Sequence, residues 1–92
     1  MIQFTYQIKD PNGMHARPAG QLASFAKKFE SSIRIRCKEK EADAKRLLSL
    51  MSLGATHGTI LTFRIDGEDE ERAAVELSAF CENGFSAARE NA

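Results

Sequence analysis

Apolar and polar residues alternate one for one from Ile2 to Lys9 and from Ser32 to Cys37, and Leu61, Phe63 and Ile65 alternate with Ile60, Thr62 and Arg64. That period of two constrains the fold more than any other feature of the chain. Successive side chains of a strand point to opposite faces, so each stretch predicts a strand with one apolar and one solvated face. Glu41 to Ala44 reads as a weaker strand, charged enough to belong at a sheet edge. Strands patterned this way build a sheet that is wet on one side and covered by helices on the other.

The covering helices can be found by their own period. Ala19, Leu22, Ala23, Ala26 and Phe29 recur at helical spacing and predict a helix from Ala16 to about Phe29, with Lys27 and Lys28 near its negative end. Residues 46 to 54, RLLSLMSLG, predict a short helix stopped by Gly54. The acidic run Glu68-Asp69-Glu70-Glu71 suits a helix start, and Ala74, Leu77, Phe80 and Cys81 continue that helix on one face. Past Asn83-Gly84 the tail reads as helical or frayed. The expected order is βαββαβα, an α+β two-layer open-faced β-sandwich. A topology in which the last strand separates the first two fits this order, although pattern alone does not force it.

Size and charge narrow the function. Ninety-two residues are expected to form one domain over residues 1–92, with no room for a second. Lys+Arg and Asp+Glu both number 13, a balance that argues against nucleic acid as the main partner. The alternating N-terminus is not a signal peptide, and the uncharged stretch from Leu47 to Phe63 is broken by Gly54, His57 and Gly58, so membrane insertion is not expected. A cytoplasmic monomer is the expectation. Cys37 and Cys81 stand apart from any CxxC or Cys/His cluster and read as small buried apolar residues. No metal-ligand spacing occurs, and no cofactor is expected.

One segment carries chemistry. In Pro11-Asn12-Gly13-Met14-His15-Ala16-Arg17-Pro18, a turn is followed at once by a helix start, with His15 at the N-cap. The first N–H groups of a helix, here beginning at Ala16, lack internal partners and carry the positive dipole end, which is an anion site. Pro18 falls in the first turn, where its missing N–H costs nothing, and Arg17 adds a fixed cation. A neutral imidazole in that setting can accept a phosphoryl group. A lone histidine at a helix start is more commonly a plain surface residue, and no base, triad or metal set accompanies this one. His57 lies in a turn and has no such setting. The apolar residues Leu47, Leu48, Leu50, Met51 and Leu53 leave the short helix almost no polar face. Either part of it is exposed as a partner site, or neighbouring helices bury it whole.

The segment Asn12 to Ala19, Ala44-Lys45 leading into Leu47 to Gly54, and Gly67 to Glu70 opening the last helix together resemble the HPr family of histidine-containing phosphocarrier proteins. This family serves the phosphoenolpyruvate-dependent sugar phosphotransferase system. The likeness runs from Ile2 to about Cys81. It implies four antiparallel strands under three helices. It also implies a phosphoryl carrier, a substrate of other enzymes rather than an enzyme with free turnover. In that role His15 accepts phosphate from enzyme I on Nδ1 and passes it to enzyme IIA domains. Arg17 matches the arginine beside the phosphohistidine, Leu47, Leu48 and Met51 match the apolar docking surface, and transcriptional regulators are a further class of partner. Arg46 departs from the pattern: the family often carries a regulatory serine there, modified by an ATP-dependent kinase in many Gram-positive bacteria, and an arginine has no hydroxyl to modify. Gly20 and Ser24 are atypical for the helix face that touches partners. Two other readings stand beside this one. A regulatory domain of the same family could dock partners without relaying phosphate. A small phosphatase of acylphosphatase type has similar size and layers, but its glycine-rich phosphate loop is missing here.

Overall fold

A computed structural model describes residues 1–85. The chain runs β1 (Ile2–Gln7), α1 (Ala16–Ala26), β2 (Ser32–Cys37), β3 (Lys40–Asp43), α2 (Leu47–Met51), β4 (Ile60–Asp66) and α3 (Glu70–Glu82). The strands form one antiparallel sheet in the order β1-β4-β2-β3. β4 therefore lies between the two strands of the β1-α1-β2 unit, and the charged β3 is at an edge, as its composition requires. All three helices pack on one face of the sheet, giving the two-layer open sandwich.

Register follows from the alternation. Phe4 pairs with Phe63, which pairs with Ile35, so apolar side chains form a row across the sheet. On the opposite face Thr5, Thr62, Arg36 and Glu41 form the matching solvated row. A slip of one residue would exchange the two faces. The helices close the core with Leu22 and Ala26 from α1, Leu50 from α2, and Leu77, Phe80 and Cys81 from α3, all of them buried. Phe25 of α1 stacks on Phe80 of α3 at 4.3 Å between ring centroids, joining the helix layer to itself.

The element ends differ from the sequence expectations where tertiary contacts override local pattern. α1 stops at Ala26 instead of Phe29, because Lys28 and Phe29 bond back to the carbonyls of Phe25 and Ala26 in a tightened final turn that drives Phe29 into the core. Lys27 becomes the C-cap, so neither lysine lies within the last helical turn. α2 is shorter than residues 46–54: Arg46 is its N-cap, and Gly54 adopts φ +67° beyond the C-cap Ser52. β3 begins at Lys40, and Ala44 follows it as a buried residue bonded to Ile33.

α3 starts at Glu70, later than the acidic run suggests. Asp69 precedes it but makes no side-chain cap; its carboxylate accepts the Glu30 and Ser31 N–H groups and the Ser31 hydroxyl. That clamp ties the start of α3 to the entry of β2. The α3 C-terminus is a Schellman turn, with Phe85 N–H on the Phe80 carbonyl at 3.0 Å and Gly84, at φ +73°, bonded to Cys81. Phe85 packs on Phe80 and Tyr6, so the chain folds back onto the sheet as it leaves the helix. The expectation for the tail beyond Gly84 lies, from residue 86 onward, outside the described residues. Cys37 and Cys81 are free and buried, in line with the sequence reading.

Candidate phosphoryl-transfer site

The loop between β1 and α1 is built before the histidine is placed. Gly13 donates to the Asp10 carbonyl at 3.0 Å and closes a turn, and Met14 anchors the loop by donating to Ala55 and burying its side chain. Gly13 has φ +70°, and a Cβ on it would sit 2.5 Å from the Ala55 carbonyl oxygen. Only glycine fits this approach. The turn delivers His15 to the N-cap of α1 with extended backbone (φ −87°, ψ −172°) and its carbonyl accepting the first helical bond from Ala19.

The imidazole makes no capping bond, so its nitrogens are not spent on the helix end. Its Nε2 lies 3.4 Å from Asp10 Oδ2. Asp10 is fixed by accepting the Asn12 N–H at 2.8 Å. That bond, followed by His15 and Arg17, holds the Asp10 carboxyl below its ordinary range. Ala16 and Arg17 supply helix-start N–H groups without intrahelical partners. Arg17 is exposed, and Pro18 is buried in the first turn.

His15, Arg17 and Pro18 share one shallow depression of about 360 Å³ with Asp10, Asn12, Gln21 and Gly84. The structure thus brings together the predicted histidine, arginine and proline and adds groups that sequence reading missed. Asp10 simply follows the alternating stretch that ends at Lys9, and Gly84 is almost seventy residues away along the chain. Asn83-Gly84 marked the point past which the tail read as helical or frayed; the position of Gly84 beside the histidine was not visible. An open, polar depression with a nucleophilic ring, a fixed cation and a helix N-terminus is suited to holding a small dianionic group at the surface.

The other predicted site residues lie outside this depression. Gly20 is half-buried on α1, and Arg46 is the exposed N-cap of α2. Leu48 is 79% exposed and Leu47 and Met51 40% each, whereas Leu50 and Leu53 are buried. The pattern question about α2 is therefore resolved: one face packs on α1 and the core, and the other is open. His57 sits in the turn before β4 and does not line the depression. Among the described residues no group of three or more His, Cys, Asp or Glu could hold a metal ion, and no helix is long and apolar enough to cross a membrane.

Residues 2–83 match the family model for the phosphotransferase-system HPr component phosphorylation site. The chain belongs to the HPr family. It is 43% identical to the phosphocarrier protein HPr of Mycoplasma genitalium over 83 residues, covering 89% of this chain and 94% of that one. HPr of Thermoanaerobacter tengcongensis superposes with a TM-score of 0.87 at 36% identity, covering 92% of this chain and 96% of the other. Crh, the catabolite repression protein of Bacillus subtilis, is also similar, with a TM-score of 0.71, 32% identity and coverage of 90% and 95%; its structure is a domain-swapped dimer. As a member of this family the chain is a phosphoryl carrier of the phosphotransferase system, with the HPr order of strands and helices.

Proposed function

We propose that His15 is the phosphoryl acceptor of this carrier, loaded by enzyme I on Nδ1 and unloaded by enzyme IIA domains. The observation that carries the reading is the place of His15: at the N-cap of α1, uncommitted to capping, and lining one depression with Arg17. The incoming group brings two negative charges. The helix dipole and the Arg17 guanidinium offset them, and Pro18 leaves one fewer N–H in the first turn to be satisfied.

The docking surface in this reading is the open face of α2, formed by Leu47, Leu48 and Met51, with Arg46 at its start and Gly20 on the adjoining α1. Three large apolar side chains exposed together beside the helix that carries His15 support a partner contact. The setting is the cytoplasm, and the carrier works there as a monomer. Transcriptional regulators are a further class of partner on the same surface. The Crh likeness brings a regulatory reading into view, but no feature of the His15 site favours docking without relay.

Incubation with phosphoenolpyruvate and enzyme I tests the reading. One phosphoryl group per chain is expected, labile in mild acid and stable in base as a P–N bond requires. His15→Ala should take up none and remain folded, since its side chain makes no cap bond. His57→Ala should label as the wild type does. Unchanged labelling of His15→Ala would remove the assignment.

A further inference from the structure

The acceptor reading leaves one charged group in the depression without a role. Asp10 Oδ2 stands 3.4 Å from His15 Nε2, while Oδ1 is held by the Asn12 N–H at 2.8 Å. The residue is locked from both ends, because its carbonyl also accepts the Gly13 N–H at 3.0 Å. A carboxylate fixed against one nitrogen of a histidine sets the tautomer of the ring and directs the other nitrogen outward. We propose that Asp10 is a positioning residue that keeps the proton on His15 Nε2, presents the Nδ1 lone pair to the phosphoryl donor, and balances the charge of the phosphorylated ring. The proposal rests on the reading of His15 as the acceptor.

The step balances without a further reactant. The Nδ1 lone pair forms the N–P bond, and the bond from phosphorus to the donor atom breaks with its electron pair remaining on the donor. No proton leaves the ring. A ring phosphorylated on Nδ1 and protonated on Nε2 is an imidazolium, and its new positive charge faces the Asp10 carboxylate. On onward transfer the N–P pair returns to Nδ1 and the neutral ring is restored. Keeping Nε2 protonated therefore serves both directions: it leaves Nδ1 unprotonated for attack and makes it a better leaving group afterwards. The Asn12 N–H, then His15 and Arg17, hold the Asp10 carboxyl below its ordinary range, so it is charged where the carrier operates. A separation of 3.4 Å is long for a hydrogen bond in the resting protein, and contacts of this kind tighten when the reacting group gains charge.

Asp10→Ala and Asp10→Asn test this together, since asparagine keeps an acceptor for the Asn12 N–H and preserves the turn. Nitrogen-15 chemical shifts of the His15 ring in the unphosphorylated protein should report the Nε2–H tautomer in the wild type. Asp10→Ala should show a mixture with Nδ1–H. Transfer from phospho-enzyme I should slow about tenfold in Asp10→Ala, as expected for loss of a group that orients a reactive imidazole. That loss should fall in kcat, with KM for the carrier unchanged. Asp10→Asn, with its Oδ1 kept on the Asn12 N–H, turns an amide NH2 towards Nε2; it should move the ring towards Nδ1–H and transfer more slowly than wild type, with the turn intact. Identical ring shifts in all three proteins would overturn the proposal, and so would a change confined to KM, which would make Asp10 a docking residue. If enzyme I failed to label wild-type His15, the acceptor reading would fall, while the ring shifts would still decide whether Asp10 sets the tautomer.

Discussion

Ser31 is a small hydroxyl residue, yet it is buried to 1% exposure and bonded to Asp69 through both its hydroxyl and its N–H. First the Ser31 hydroxyl and then the Glu30 N–H hold the Asp69 carboxyl down to about 2. The folded state therefore prefers the charged form more than the unfolded chain does. The resulting stability is complete above about pH 4 and disappears as the pH falls towards about 2. Acid unfolding followed by circular dichroism should show a loss across that window in the wild type. Asp69→Asn should begin less stable at neutral pH and lose less there. Glycines separate in the same residue-level way. Gly20 sits in α1 with open space where a Cβ would go, so Gly20→Ala should stabilise by up to about 1 kcal/mol. Gly13→Ala should cost more than about 1 kcal/mol, because a Cβ meets the Ala55 carbonyl and φ is positive. Thermal unfolding of the two variants should move in opposite directions.

At the scale of elements, α2 divides its apolar residues between two duties. Leu50 faces the core, as does Leu53 just past the helix, while Leu48 projects to solvent. Leu48→Glu should leave the unfolding midpoint nearly unchanged and strongly reduce transfer to enzyme IIA, by placing a charge in a contact that must dry out. A large stability loss would show that Leu48 is core. Leu50→Ala should do the reverse, costing about 2–5 kcal/mol as a buried truncation. Arg46 starts the same helix and rules out phosphorylation at its position. Arg46→Ser should gain acid-stable phosphate from ATP and a kinase that modifies HPr proteins with serine there, whereas the wild type should not. Phosphate on Ser49 or Ser52 of the wild type would defeat that expectation. A fixed cation at Arg46 favours acidic partner surfaces, where a phosphoserine would add roughly −1.5 to −2 charge and repel them.

For the molecule as a whole, the buried thiols report cooperativity. Burial, with Glu82 adding to it, pushes the Cys81 thiol up to about 12, and Cys37 is buried on the sheet. Both should resist thiol reagents in the native protein and react together, at the rate of global opening. Fast native reaction of one alone would show that its part of the core opens independently. The chain itself encoded much of this architecture. The strands, the helix faces and the His15-Ala16-Arg17-Pro18 helix start were legible because alternation, helical spacing and turn chemistry are local properties of neighbouring residues. The same pattern suggested that β4 would enter between β1 and β2, and family likeness pointed to the open face of α2. What only the tertiary structure decided depends on residues distant in sequence meeting in space. Asp69 read as one member of an acidic run at a helix start, but the packing of α3 against the entry of β2 gave its carboxylate three donors from Glu30 and Ser31. Phe29 left its helical pattern because core burial outweighed two further helical bonds. Asp10 and Gly84 joined His15 because the turn at Gly13 and the reversal after α3 end at the same place on the surface, and no period along the chain records that meeting.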